Sequence, residues 1–228
     1  MNRYLAIAAF GAASLAATGA ALAAPAPPLL HAETGSALAY HVVFDGSFWN
    51  GAKTAFARDV RLTVLGGGAI GVVSAGPAKD DAANAQGTLR KNGEIDVRGA
   101  SDRVRSYNTI VQILRTAPAS IEPGSTWTAS VPMQFNDTDA TADFPVTVKA
   151  VSDPSGLVLQ GTGAQTITTT YGGYSVPIDV DVRLALRLTP NGFDRCDFAA
   201  SEVVHAGPQT QTLSWKWAMT AAAAAPKV

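Results

Sequence analysis

An internal disulfide is impossible for this sequence, though a lone thiol leaves an intermolecular disulfide or a reactive cysteine as the rival reading. Its one cysteine, Cys196, has no second cysteine to pair with. The fold must then rest on buried side chains alone. Cys196 stands in Arg195-Cys196-Asp197-Phe198, where alternation puts it on the face of Phe198 and makes it a small buried hydrophobe. Charge is scarce as well. Charged residues make up 15% of the chain and the formal net charge is −1, whereas an average domain carries about 25%. There is no basic stripe, so nucleic acid is not an expected partner. Aromatic residues are 7% of the chain, too few for the two girdles of a transmembrane barrel. The three histidines, His31, His41 and His205, show no His-x-His or His-x3-His spacing, and no zinc site is expected from them.

Catalytic signatures are missing too. No Gly-x-Ser-x-Gly elbow occurs, and the nearest run, Gly71-Val72-Val73-Ser74-Ala75-Gly76, has the wrong spacing. Gly66-Gly67-Gly68 is not a phosphate loop, because neither Lys-Ser/Thr nor a helical pattern follows it. It reads as a turn. A hydrolase with a triad assembled in space stays open only as a third reading.

What is present begins with an export signal. Arg3 is the sole charge in residues 1–23, and an Ala/Leu-rich run ends in Ala21-Leu22-Ala23, the small-x-small pattern read by signal peptidase. A membrane anchor is the competing reading, since about 18 apolar residues can just span a bilayer. Weak hydrophobicity and the following Pro25, Pro27 and Pro28 favour cleavage after Ala23. The expectation is a signal peptide over 1–23 and one mainly β domain over 24–228, periplasmic or secreted, with no stable membrane anchor. No cysteine stands just after the signal, so lipid attachment there is not expected.

Beyond the signal, period-2 alternation dominates. Leu38, Tyr40, Val42 and Phe44 share one strand face, as do Val60, Leu62 and Val64 before the glycine turn, with Ile70 and Val72 after it. Leu89 and Ile95 flank Asn92-Gly93, which predicts a two-residue type I′ turn. Val146, Val148 and Ala150 form another strand, turned by Asp153-Pro154-Ser155-Gly156. The clearest alternation puts Ile178, Val180, Val182, Leu184, Leu186 and Leu188 on one face, with Asp179, Asp181, Arg183 and Arg187 on the other. Leu213, Trp215, Trp217 and Met219 do the same in the last strand. One segment departs from this rhythm. Val104, Tyr107, Ile110, Val111 and Leu114 recur at helical spacing and Pro118 follows, which predicts a helix near 102–115. A strand over 109–114 is the rival. Pro118, Pro123 and Gly124 mark a sub-boundary near 117–124. The fold class is therefore mainly β, a curved antiparallel sheet of about 10–12 strands, as a half-barrel or two layers, with one helix.

Two segments carry ligand-like chemistry. Asp137, Asp139 and Asp143 supply oxygens that can converge on Ca²⁺ in a loop. The run fails the EF-hand pattern, with Ala142 at the glycine position and Val148 at the glutamate position, and a solvated hairpin loop is the plainer reading. Phe48-Trp49 sits in a Gly/Ser/Asn-rich connection, where both rings cannot face one side of a strand. One of them is a candidate for contact with a partner or ligand, against the plainer reading of a loop folded on the core rim.

The stretch Thr116-Ala117-Pro118-Ala119-Ser120-Ile121-Glu122-Pro123-Gly124-Ser125-Thr126-Trp127 resembles a pattern of uncharacterised bacterial exported proteins, in which a helix and a proline precede a strand opened by tryptophan. The strand rhythm is similar to the half-barrel of periplasmic lipoprotein-carrier proteins. That resemblance implies a curved sheet around a helix and an apolar groove for acyl chains, and it carries over no catalytic residue. The expected function is a non-enzymatic exported binding or carrier protein for an apolar small molecule, lipid or protein partner, its groove lined by Tyr40, Val182, Leu184, Trp215 and Trp217. The alternative is a structural or envelope-assembly module acting through Phe48-Trp49.

Overall fold

Alternation produces a large antiparallel sheet with one helix laid against it among the described residues. The computed structural model describes residues 22–23, 26–47, 51–76, 83–98, 101–134, 141–154, 156–171, 174–189 and 192–222. The elements in chain order are β1 (Leu22–Ala23), β2 (Ala37–Ser47), β3 (Lys53–Gly66), β4 (Ala69–Ala75), β5 (Ala83–Leu89) and β6 (Ile95–Asp96), then α1 (Ser101–Arg115) and β7 (Ser120–Ile121). After these come β8 (Thr126–Gln134), β9 (Thr141–Asp153), β10 (Gly156–Tyr171), β11 (Tyr174–Thr189), β12 (Gly192–Ala206) and β13 (Gln209–Ala221). Eleven strands form one sheet in the order β6-β5-β4-β3-β2-β13-β12-β11-β10-β9-β8. It is not closed into a barrel. Chain neighbours pair throughout except at one place, where β2 meets β13 through pairs such as Phe44 with Trp217. The two halves of the chain on either side of 117–124 thus share one sheet. The short β1 pairs only with β7.

The core lies on one face of the sheet. Tyr40, Val60, Leu62, Ile70 and Val72 from the first half and Leu159, Ile178, Leu186 and Met219 from the second are buried there. The predicted helix forms over 101–115 and buries Val104, Tyr107, Ile110, Val111, Ile113 and Leu114 against them. Ile110 and Val111 are poor helix formers in isolation. Here their burial outweighs propensity, the ordinary origin of helix stability in proteins. Thr116 ends the helix by donating its hydroxyl to the Gln112 and Ile113 carbonyls at 3.0 and 3.2 Å, just before Pro118.

The helix also covers the two outer strands of the open sheet. Asn108 accepts from the Ile95 N–H and donates to the Ile95 carbonyl, each at 2.9 Å, so one side-chain amide satisfies the free edge of β6. Tyr107 donates its hydroxyl to the Gly93 carbonyl at 3.1 Å. At the other edge the Trp127 indole of β8 donates to the Ile113 carbonyl at 3.3 Å. Unpaired strand edges template aggregation unless covered, and α1 performs that cover.

The turn at 92–93 differs from expectation. β5 and β6 are joined by residues 90–94, closed by hydrogen bonds from Arg90 N to Glu94 O and Gly93 N to Arg90 O. The bond from Gly93 N makes Lys91 and Asn92 the central turn residues, with Gly93 following at a φ of 89°, so this is not a two-residue type I′ loop at 92–93. Asn92 instead accepts from the Glu94 N–H through its side chain at 3.1 Å, the Asx-type alternative open to this residue. The doubly positive geometry appears in the β3–β4 hairpin, with φ of 61° at Gly67 and 81° at Gly68.

Candidate functional site

The inner face of the sheet has two ends. At one, α1 lies over the strands. Tyr40 there is 1% exposed and donates its hydroxyl to the Arg103 carbonyl at 2.9 Å. Burial, reinforced by the neighbouring Tyr107, pushes its phenol far above the usual range. Tyr40 is therefore a strut between sheet and helix and not a groove residue. Val182, Leu184 and Trp217 are likewise core residues, Trp217 at 6% exposure. The groove expected along these four side chains is corrected: their packing fills it. Long alternation marks which face is apolar but is silent on whether that face is filled.

Further along the same strands the aromatic residues are unevenly covered. Pairing aligns Phe56, Phe44, Trp217, Phe198 and Leu184 across neighbouring strands, with Trp215 one step along β13. Phe44 stacks on Phe56 with centroids 5.0 Å apart. Phe198 stacks on both Trp215 and Trp217 at 5.3 Å, within the range where aromatic pairs are favourable. Gly46 makes this possible. A Cβ there would stand 2.8 Å from Trp215 Cβ and 2.9 Å from Phe44 Cζ. Phe44, Phe56 and Trp215 remain half-buried.

Two charged side chains adjoin this array. Glu202 is 1% exposed and accepts from the Trp215 indole N–H at 3.1 Å. The half-buried Arg58 sets its guanidinium over the Phe56 ring at 5.0 Å, a cation–π contact. Phe44, Phe56, Arg58 and Glu202 were not singled out from the sequence. A signal for Glu202 was there, since it follows Phe198 and Ala200 on the inward side of β12. A carboxylate at an inward position of an alternating strand marks a buried polar contact.

The other expected residues lie apart. Phe48 and Trp49 fall in the β2–β3 connection, outside the described residues. Asp137 and Asp139 fall outside them as well. Asp143 is exposed in β9, opposite Pro132. No group of three His, Cys, Asp or Glu suited to a metal occurs among the described residues. His41 and His205 lie on the outer face, where His41 Nδ1 meets Asp59 at 2.7 Å and His205 Nε2 meets Asp179 at 2.8 Å. The Thr166 hydroxyl donates to Asp179 at 2.6 Å. Together the Thr166 hydroxyl and His205 hold the Asp179 carboxyl below the usual range. Cys196 is fully buried, and burial pushes its thiol far above its ordinary range, as befits an inert core residue.

The outer face also bears two grooves. One, of about 360 Å³, includes Val43, Ala185, Ala199 and Ala218, with Asp45, Lys216 and Arg183 alongside. The other, of about 420 Å³, surrounds the His41–Asp59 pair. Val43, Leu65 and Val73 are exposed at 44%, 50% and 46%. No helix among the described residues is long and apolar enough to cross a membrane. Comparison with protein-family models, curated proteins and solved structures finds no match to this chain.

Proposed function

We propose that this protein is exported, is cleaved after Ala23, and acts by binding an apolar ligand at the aromatic end of its inner sheet face. One observation carries the reading. Tyr40, Val60, Trp217, Phe198 and Leu184 are buried on the inner face, yet Phe44, Phe56 and Trp215 beside them stay half-buried. Large aromatic surface left partly open next to a finished core is surface available to a ligand. The Trp215–Glu202 hydrogen bond and the Arg58–Phe56 contact fix two of these rings, so the platform is preorganised. A ligand swallowed along Tyr40, Val182 and Leu184 would have to displace core packing. The bound group therefore lies against Phe44, Phe56 and Trp215 and not among those buried side chains.

An envelope-assembly role is the second reading. It is supported by the exposed Val43, Leu65 and Val73 on the outer face. The two separate by experiment. Native mass spectrometry of protein purified from its own export compartment should reveal a co-purified lipid. An apolar fluorescent probe should bind the delipidated protein and lose affinity at least severalfold in Trp215→Ala. A protein that carries no lipid and binds no apolar probe would sink the ligand reading and leave the assembly role.

A further inference from the structure

The outer strands of the sheet are covered by α1, but a further edge opens inside it. Pairing of β9 with β10 runs from Asp153–Gly156 to Thr147–Thr162 and stops. Pairing of β10 with β11 continues to Tyr171–Tyr174. Residues 163–171 therefore have a strand partner on one side only among the described residues. The cause is local. Two residues beyond the Thr147–Thr162 pair, Pro145 would face Ala164, and proline has no N–H to give a ladder. Beside it stands Gly163, where a Cβ would lie 2.5 Å from the Pro145 carbonyl oxygen and 2.8 Å from the Phe144 ring. That glycine lets β9 bend away and bury Phe144 in the core.

Proline also sets which backbone groups are left over. In an antiparallel ladder, each residue turns both its N–H and its C=O to one side, and successive residues alternate. Thr168 pairs with Pro177. Pro177 cannot donate to β10, so this is a pair whose backbone groups point away from each other. The N–H and C=O of Thr168, and by period two those of Ala164, Thr166 and Thr170, face the side that β9 has vacated. Thr166 and Thr168 are exposed. The run Gln165-Thr166-Ile167-Thr168-Thr169-Thr170-Tyr171 has no charge and no proline. It therefore lacks the devices that block strand addition.

We propose that this edge is a self-association site, at which two copies of the chain pair β10 to β10 antiparallel about a two-fold axis at Thr168. The run itself selects a second copy as occupant. The axis sets Thr168 against itself, Thr166 against Thr170 and Ile167 against Thr169. No like charges meet, and a Thr168–Thr168 pair across the axis is favourable. The acidic Asp179 and Asp181 sit on β11, one strand further in. The contact is isologous, so it closes at a dimer and does not run on into a fibre.

The test is sedimentation equilibrium of the purified protein with Thr168→Lys and Thr168→Asp. The unsubstituted protein is expected at twice the chain mass. Each variant alone places like charges on the axis and should fall to half that mass, with unchanged circular dichroism. Mixing the variants in equal amounts sets Lys against Asp and should restore the dimer. Should either variant misfold, a spin label on Thr168→Cys reports instead, since Cys196 is buried. Dipolar broadening that disappears on mixing with unlabelled protein is then expected. A monomer at every concentration, a dimer that survives Thr168→Lys, or a label without broadening overturns the proposal, whether or not another protein binds the edge.

Discussion

The two ends of the inner sheet face carry similar side chains to different outcomes. Beneath α1, Tyr40, Val60 and Leu62 meet Tyr107 and Ile110 in a sealed core. Away from it, Phe44, Phe56 and Trp215 lie on the same strands and the same face, yet remain half-buried. The strands are not what differs, since β2 and β13 contribute to both ends. What differs is contact with α1, which Tyr40 meets through its hydroxyl on the Arg103 carbonyl. A single helix of 15 residues is about 22 Å long at 1.5 Å per residue. A strand such as β11, with 16 residues, spans about 53 Å. One such helix leaves part of the face to be covered by something else, whatever its composition.

This contrast can be broken most decisively by truncation. Ile110→Ala should cost about 3 kcal/mol in urea unfolding, as expected for a fully buried aliphatic residue. Phe56→Ala removes a larger side chain but should cost only about 1–2 kcal/mol, because its ring is half-exposed already. Equal costs would mean that the aromatic end is as sealed as the other.

Asn108→Ala comes next, at about 2 kcal/mol, since both backbone groups of Ile95 lose their partner. Hydrogen exchange should then quicken at β6 and leave β12 unchanged. Uniform quickening would show that the amide supports the whole sheet and not its edge. Trp215→Phe keeps most of the aromatic surface but withdraws a donor from the buried Glu202. About 1 kcal/mol of stability should be lost. A result near zero would mean that the indole N–H has no structural duty.

The smallest effect is acidic. The carboxyl of Asp179 titrates below its ordinary range in the folded protein. Its contribution is therefore present at neutral pH and is lost as pH falls through the lowered folded value. Thermal midpoints followed from neutral to strongly acidic solution should fall less steeply in Asp179→Asn. Superimposable curves would remove the Thr166–Asp179–His205 cluster from any account of acid stability.

Much of the architecture was legible because alternation is a local property. Each strand face in β2, β11 and β13 could be assigned from its own residues, and the helix over 101–115 from a change of period. The 92–93 turn was misread because the propensity of Asn-Gly for φ > 0 gave way to the Asn92 side chain, which holds Glu94 in a wider loop. The aromatic site was half legible. Trp215 was marked, but its partners Phe44, Phe56 and Glu202 come from other strands, and only pairing brings them together.

Which residues alternate and where the rhythm changes to helical depend on neighbours along the chain, and a lone cysteine rules out an internal disulfide, so all three are readable in the residues alone. Folding in three dimensions set the first long strand beside the last, Asn108 against β6, and Pro145 and Gly163 where the pairing of β9 with β10 ends. Those outcomes depend on which segments meet after the chain has curved back on itself. The same physics left Trp215 half-buried: alternation builds an apolar face, but only tertiary packing settles how much of it is covered.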